Sequence, residues 1–384
     1  MTQDNTTSGL SGLGQARQFR DYKVVAKQVE SEVISSFVLE TLDGSAVPAY
    51  QPGHYLVFKF IIAGQTVLRN YSVSGDPADP TQLRISVKHE LAPPGLSVPD
   101  GIGSGFWHRQ IQVGDRVQAA GPLGDFYLDE SSQRPVVLLS GGVGITPMLA
   151  MLHRLVKGSS RPVHFMHACD NGAVHAFGAE VTALAAQRAG VQTVFWYRQP
   201  LAQDRQQPWS FIEGMVAKAD LQRHLPLDDY EFYLCGPSGF MQSNYALLRE
   251  LGVTADRIHY EFFGPATVLE STLQTTPAVL NPVQNRETTA GVVPAMNNSQ
   301  TLTFLPDGRQ AQWQENCESL LVAAEDAGLQ PAFNCRAGIC NSCMCTLVSG
   351  EVEYFDEPLD RVPEGKVLLC CARPKTAVVI DIES

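Results

Sequence analysis

Apolar and polar residues alternate in short runs through the first third of the chain. Residues 22–29, 33–39, 55–62, 71–73, 83–88 and 116–120 each read as a strand, with Gly, Pro and Asp between them. That many short strands predict an antiparallel Greek-key β-barrel over residues 19–130. At Arg134 the rhythm changes. Apolar runs at 135–140, 163–168, 193–198, 231–235 and 258–263 alternate with helical stretches at 148–155, 177–188, 215–221 and 240–251. This alternation predicts a doubly wound, parallel α/β nucleotide-binding domain over 131–265. Residues 266–300 are rich in Pro, Thr and Asn and read as a linker. A last domain over 301–384 shows a strand at 302–305, a turn at Pro306-Asp307-Gly308, a helix at 319–327, and strands at 344–348, 367–369 and 377–382. A small sheet wrapped on one helix is an α+β, β-grasp arrangement. Residues 1–18, rich in Thr, Ser and Gly, read as a flexible tail.

A length of 384 residues fits such a multidomain plan, and 44% hydrophobic content suffices for separate cores. The net charge of −12 argues against nucleic acid and against anionic membrane surfaces. The charge is uneven, because residues 301–384 hold thirteen acidic and six basic residues. An acidic face of this kind either steers docking to a basic partner or is simply solvated. No apolar run approaches the ~18 residues needed to span a bilayer. The start, Met1-Thr2-Gln3-Asp4-Asn5, lacks the basic and apolar regions of a signal peptide. The expectation is a soluble, cytoplasmic monomer.

Cysteine spacing adds the first chemistry. Six of the nine cysteines fall between Cys335 and Cys371. Cys335, Cys340 and Cys343 stand at C-x4-C-x2-C, and Cys370 and Cys371 follow. This is the plant-type pattern for a [2Fe–2S] cluster held by four thiolates. Zinc sites usually pair short C-x2-C knuckles, which fit this spacing poorly. Gly338 lets the loop backbone come close, and the fourth sulfur, from Cys370 or Cys371, arrives from a distant segment. Such a cluster wants a reducing compartment. Cys317 and Cys345 read as bystanders.

Two further constellations lie upstream. In Arg69-Asn70-Tyr71-Ser72 the Arg can neutralise a flavin phosphate, the Tyr can stack on the ring system or pack on its side chain, and the Ser hydroxyl can reach the hydride-accepting nitrogen. Gly101-Ile102-Gly103-Ser104 can open a helix whose free N–H groups hold a pyrophosphate. The strand at 135–140 runs into Gly141-Gly142-Val143-Gly144-Ile145-Thr146-Pro147. Its small residues let the backbone approach a pyrophosphate at a helix start, with Thr146 as a cap and Pro147 in the first turn. Cys235-Gly236-Pro237 ends a later strand at the same sheet edge. After residues 163–168 come Cys169-Asp170-Asn171-Gly172. This stretch has no Lys or Arg cluster for a 2′-phosphate, and Asp170 would repel one, so NADH is expected over NADPH. Glu261, just before an aromatic pair, is a candidate for tuning flavin potential or is a strand-end surface residue.

Residues from about 19 to 265 resemble the ferredoxin–NADP⁺ reductase superfamily, and within it the reductase module of flavohaemoglobins. The matching stretches are Gly53-His54-Tyr55, Arg69-Asn70-Tyr71-Ser72, Ile85-Ser86-Val87-Lys88, Gly101 to Ser104 with His108, Gly141 to Pro147, Val174-His175-Ala176-Phe177, Cys235-Gly236-Pro237 and Tyr260-Glu261-Phe262-Phe263-Gly264-Pro265. Residues 301–384 resemble plant-type ferredoxins. The resemblance implies that Tyr55, Arg69, Asn70, Tyr71, Ser72 and Lys88 belong to an FAD site and that Ser104 lies near the pyrophosphate. It implies that Phe262, Phe263, Gly264 and Pro265 lie beside the isoalloxazine. FMN is the alternative, because reductases of the phthalate dioxygenase type share this domain order. The resemblance also puts Cys235 near nicotinamide C4, where the sequence alone would make it a buried structural Cys. Ferredoxins place the fourth ligand before an x-Ala-x-Pro tail, which puts Cys370 in that place. A metal site at His164, His167 and His175 is set aside, since the family keeps His175 in a motif without metal. No globin domain precedes the reductase part, so haem chemistry is not implied.

Together these features predict an oxidoreductase with Ser72, Cys235 and Glu261 at the reacting centre. Electrons would run from NADH to FAD, to the cluster, and out to a separate metalloprotein, a terminal oxygenase or a hybrid-cluster protein. Competing readings are a reductase of small acceptors (flavin, ferric chelate, quinone or dioxygen) and a redox sensor without turnover.

Overall fold

The computed structural model describes residues 18–91, 100–263, 300–314, 317–329, 331–333, 336, 338–339, 341–355, 357–359 and 361–382. They fall into two compact units divided after Pro265.

The first unit opens with six strands: β1 (Arg20–Val29), β2 (Ile34–Thr41), β3 (Tyr55–Ile62), β4 (Gln65–Ser72), β5 (Leu83–Lys88) and β6 (Arg116–Leu123). They pair in the order β4-β3-β6-β1-β2-β5, antiparallel throughout. A bridge between Val73 and Ile85 joins the two edges and closes the barrel. Helix α1 (Ile102–Arg109) covers one mouth. Its Trp107 is fully buried, with ring centroids 4.6 Å from Phe37 and 5.0 Å from Phe58. Burying one such side chain is worth about 1.5–3 kcal/mol.

The same unit continues with β7 (Val136–Gly141), α2 (Ile145–Gly158), β8 (Val163–Cys169), α3 (Gly178–Ala185), β9 (Val191–Tyr197), β10 (Ile212–Glu213), α4 (Lys218–His224), β11 (Glu231–Gly236), α5 (Ser238–Glu250) and β12 (Ile258–Phe262). The sheet order is β10-β9-β8-β7-β11-β12, all parallel. Every residue of β7 and β11 is buried, as expected for central strands covered on both faces. The chain winds outward from β7 in one direction and from β11 in the other. That switch point opens a crevice at the carboxyl ends of these strands.

The helix expected at 215–221 begins later. Gly214 takes a left-handed φ of +106°, Ala217 is still extended, and Asp220 accepts the Ala217 N–H at 3.2 Å. The turn therefore uses up the first residues of the expected helix.

The second unit holds β13 (Thr301–Leu305), β14 (Arg309–Gln312), α6 (Leu320–Asp326), β15 (Met344–Ser349), β16 (Val352–Tyr354), β17 (Lys366–Leu368), β18 (Ala372–Pro374) and β19 (Val378–Asp381). Five strands pair as β14-β13-β19-β15-β17, and β16 pairs with β18. Leu320, Leu321, Ala323 and Ala324 of α6 are buried in one core with Phe304, Val367 and Ile380. Ser319 caps α6 by accepting the Val322 N–H at 3.3 Å. Residues 264–299, where most of the expected linker falls, lie outside the described residues. Among those described, no helix is long and apolar enough to cross a membrane.

Candidate functional site

In the barrel, Ser72 ends β4 directly opposite Tyr55 on β3. Both are buried. The Ser72 Oγ and the Asn70 Oδ1 are buried without a hydrogen-bond partner among the described residues. Tyr71 packs against Phe58 and Trp107 at 5.8 and 5.9 Å between ring centroids, and burial pushes its phenol up. Arg69 is exposed and donates to the Leu68 carbonyl at 2.7 Å. Its stem lies over Gly103, where an added Cβ would come within 2.6 Å of Arg69 Cγ. The fold thus joins Arg69 to the first turn of α1, a combination suited to phosphate. Ser104 is tied differently from a free donor. Its hydroxyl donates to the Gly101 carbonyl at 3.2 Å and accepts the Glu90 N–H at 3.1 Å. Lys88 pairs with Glu90 at 3.0 Å.

At the switch point, β7 ends at Gly141, a tight turn spans Gly142–Gly144, and α2 starts at Ile145. Gly142 has φ +53°, which favours glycine. Gly144 has no room for a side chain, because an added Cβ would overlap the Cys235 carbonyl. Gly141 and Gly236 both abut the Phe240 ring, with Cβ approaches of 2.8 and 2.7 Å. Two strand ends therefore close on one aromatic ring, and the half-buried Gly142, with nothing within 4 Å of an added Cβ, is the open step of the turn. The expected cap at Thr146 is corrected. Gly144 occupies the cap position, and the Thr146 hydroxyl donates to the Val143 carbonyl at 3.0 Å. Val143 is half-buried and Pro147 lies in the first turn, which needs no N–H from it. Pro237 immediately precedes α5.

Cys235 sits opposite Glu261 across β11 and β12. It is fully buried, and that burial, followed by the charge of Glu261, pushes its thiol well up. Glu261 is half-buried as a residue, but its Oε2 is fully buried and has no partner among the described residues. Burial first, then the charge of Asp125, pushes this carboxyl up to about 8. It is therefore not the solvated surface glutamate that its strand-end position allowed. Phe262 is half-buried and Phe263 is 40% exposed, while Gly264 and Pro265 lie outside the described residues.

At the ends of β8 and β9, Asp170 Oδ1 pairs with Arg198 Nη2 at 2.8 Å. Buried Asp204 accepts the N–H groups of Gly172 at 3.0 Å and Leu201 at 2.8 Å. His167 Nδ1 meets Ser140 Oγ at 2.8 Å, and His175 Nδ1 meets the Tyr197 hydroxyl at 2.7 Å. Their rings stack with centroids 5.0 Å apart, and burial pushes His175 down to about 4. His164 is buried and packs on Tyr230. Arg198, Asp204, Phe240 and Asp125 are not singled out by the sequence. Each acts at least in part on a residue distant along the chain, which the local sequence does not show.

In the second unit Cys335 and Cys340 lie outside the described residues. Cys343 and Cys370 are buried. The Gly338 N–H donates to Cys370 Sγ at 3.3 Å, whereas Cys371 Sγ faces the Leu368 carbonyl at 3.8 Å. An added Cβ on Gly338 would come within 3.0 Å of Cys371 Sγ, so the loop closes tightly on this segment. The unspent polar atoms of the barrel, the open glycine turn and a sulfur that accepts a loop N–H fit FAD, a dinucleotide and a cluster respectively.

Residues 21–127 match the family described as oxidoreductase FAD-binding domain, residues 138–245 the oxidoreductase NAD-binding domain, and residues 303–375 the 2Fe-2S iron-sulfur cluster binding domain. The flavohem-like FAD/NAD binding domain of nitric oxide dioxygenase from Vibrio cholerae is 41% identical, at a TM-score of 0.57. That likeness covers 64% of this chain and 99% of that one. The chain belongs to the ferredoxin–NADP⁺ reductase family, with a C-terminal [2Fe–2S] ferredoxin domain. It is an oxidoreductase with FAD, NADH and [2Fe–2S] as cofactors. The flavohemoproteins of Chromobacterium violaceum and Deinococcus radiodurans are 45% and 42% identical over 248 and 262 residues, or 64% and 67% of this chain. The chain spans only 61% and 62% of those two relatives. Phthalate dioxygenase reductase covers 94% of this chain and 98% of its own at 23% identity and a TM-score of 0.54, a likeness of fold.

Proposed function

We propose that this chain is the reductase component of a two-component system. It would oxidise NADH and pass electrons through FAD and the [2Fe–2S] cluster to a separate metalloprotein, a terminal oxygenase or a hybrid-cluster protein. The observation that carries this reading is the joining of all three cofactor domains in one chain, an order shared with phthalate dioxygenase reductase. That protein is described as transferring electrons from pyridine nucleotides to [2Fe-2S]. The division at 19–130, 131–265 and 301–384, the linker at 266–300 and a reducing, cytoplasmic setting belong to the same proposal.

When bound, FAD and the cluster supply the conversion of a two-electron donor into single electrons. The residues supply position and protons. The Gly141 to Gly144 turn and the start of α2 would offer backbone N–H groups to a pyrophosphate, the turn being fixed in place by its close approach to Cys235 and Phe240. Arg69 and the start of α1 receive the flavin phosphates. Ser72 and Asn70 keep buried hydrogen-bonding atoms without a partner among the described residues, which a bound flavin would satisfy. Glu261 keeps its proton below about pH 8 and so stays neutral beside Cys235, whose thiol also stays neutral. Cys335, Cys340, Cys343 and Cys370 would hold the cluster, and the Gly338 N–H, which donates to Cys370 Sγ, would tune that sulfur.

Reduction of free flavin, ferric chelates, quinones or dioxygen leaves the cysteine loop without a task, which weighs against it. The test compares two acceptors under NADH. Cys370→Ser is expected to lose cytochrome c reduction and keep ferricyanide reduction, whereas Cys371→Ser keeps both. The opposite pattern transfers the fourth-ligand role to Cys371. Cytochrome c reduction surviving both substitutions would remove the cluster from the route.

A further inference from the structure

Hydride passes only between groups held in fixed register, yet Ser72 belongs to the barrel and the glycine turn to the parallel sheet. One carboxylate links the two parts of the first unit. Glu180, in the first turn of α3, accepts both arms of the Arg84 guanidinium, Nη1 to Oε2 at 2.9 Å and Nη2 to Oε1 at 2.8 Å. Its Oε1 also meets His153 Nε2 at 2.8 Å. A bidentate pair of this kind fixes direction as well as distance.

Each partner leads to one of the two sites. Arg84 lies on β5 and grips the chain just past Ser72. Its carbonyl accepts the Ser74 N–H at 2.7 Å, and its Nη2 donates to the Ser74 carbonyl at 2.6 Å. The guanidinium also lies over Phe177, 5.3 Å from the ring centroid. Phe177, with φ +63°, is the residue that turns the chain into α3. His153 lies on α2, about two turns from the start of that helix at the glycine turn. Lys157, four residues further along the same face of α2, pairs with Asp76, two residues beyond Ser74. Successive turns of α2 are thus fastened to the segment that leaves the flavin strand. The side chains of Arg84, Glu180 and His153 are only 13–27% exposed, which spares the link much of the screening that surface pairs suffer.

We infer that Glu180 is a positioning residue for hydride transfer, joining Arg84 beside the Ser72 strand to His153 on the helix of the glycine turn, and so setting nicotinamide against flavin. It acts through Arg84 and His153 rather than on either cofactor. This role presupposes the nicotinamide and flavin sites proposed above. Binding of each cofactor alone does not need the link. Their mutual approach does, and an approach wrong by about 1 Å costs about 100-fold. The Lys157–Asp76 pair still holds when Glu180 is changed, so the expected loss is smaller.

The test is a double-variant cycle of Arg84→Gln and Glu180→Gln in the FAD-loaded full-length protein. Anaerobic stopped-flow reduction by NADH gives the rate constant at saturation and the NADH Kd, and thermal melts run alongside. Each single variant is expected to lose about tenfold in the rate constant, with Kd within about twofold and flavin still bound. The double variant is expected to be no more than about twofold slower than Arg84→Gln, because both residues act through one link. Losses that multiply, a loss confined to Kd, or a lower melting temperature with an unchanged rate would each overturn the role. The unsubstituted protein separates this from the underlying reading. If NADH reduces its flavin and both single variants match it, the positioning role alone is removed. If NADH does not reduce its flavin, the hydride reading falls and the role falls with it.

Discussion

The flavin end and the adenosine end of the first unit handle polar groups in opposite ways. Around the barrel mouth and the end of β12, Ser72 Oγ, Asn70 Oδ1 and Glu261 Oε2 are buried without partners. At the ends of β8 and β9, the exposed charges of Asp170 and Arg198 are already matched and one oxygen of Asp204 takes two backbone N–H groups, while Asp204 Oδ1 and His175 Nε2 have no partner among the described residues. An unmatched buried polar atom costs about 1–3 kcal/mol, so a fold tolerates several together only where something else satisfies them. The reacting end thus keeps its hydrogen-bonding capacity for the cofactor. The recognition end commits its exposed charges in advance, so that a charged ligand must compete with an existing pair.

The largest expected effect tests the backbone that joins the two ends. Gly144→Ala drives a Cβ into the Cys235 carbonyl. We expect NADH-driven ferricyanide reduction to fall about 100-fold or more, because a displacement near 1 Å costs that much. Flavin absorbance should remain, since the turn contains none of the candidate flavin residues Tyr55, Arg69, Tyr71 and Ser72. Full activity in the Gly144→Ala variant would show that the turn has slack.

Ser72→Ala sharpens the flavin side. It removes an unspent hydroxyl and little packing. The expected result is a loss of about tenfold to 100-fold in the rate of flavin reduction under stopped flow, with FAD still bound. An unchanged rate would mean that the buried hydroxyl has no task at the ring.

Glu261 gives a pH signature. Its folded value of about 8 lies above the ordinary 4.5, so the folded state binds the extra proton in between. The contribution is full below about pH 4.5 and is lost as pH rises through about 8. Thermal melts of the flavin-free protein should therefore fall across that window, and Glu261→Gln should flatten the fall. His175 has the opposite sign and the smaller effect. Its folded value of about 4 lies below the ordinary 6.5, so its contribution is lost as pH falls from about 6.5 toward 4. His175→Gln should make that acid limb shallower. If both limbs respond to the same substitution, the two ends are not separate.

How much of this can be read from residues in a row follows from the same contrast. The barrel strands 55–62 and 83–88 have the bounds that the sequence predicts, because each is a mostly apolar run of which most residues are buried. The glycine turn is visible because small residues follow a buried strand. Strands Gln65–Ser72 and Arg309–Gln312 are legible in part or not at all, since edge strands with polar residues lack a hydrophobic rhythm. Thr146 fails as a cap because the helix already begins at Ile145, which leaves Gly144 in the cap position and Thr146 inside the first turn. Arg198 escapes notice for a different reason. Its meaning depends on Asp170 lying beside it, and that neighbour is fixed by strand register alone.

The central claim is a single route from nicotinamide through flavin to cluster. Anaerobic titration with NADH, followed by visible absorbance and electron paramagnetic resonance, tests it most directly. The account predicts loss of flavin absorbance together with bleaching of the cluster and growth of its reduced-state signal, in step with NADH added. A flavin that is fully reduced by NADH while the cluster stays oxidised would contradict it.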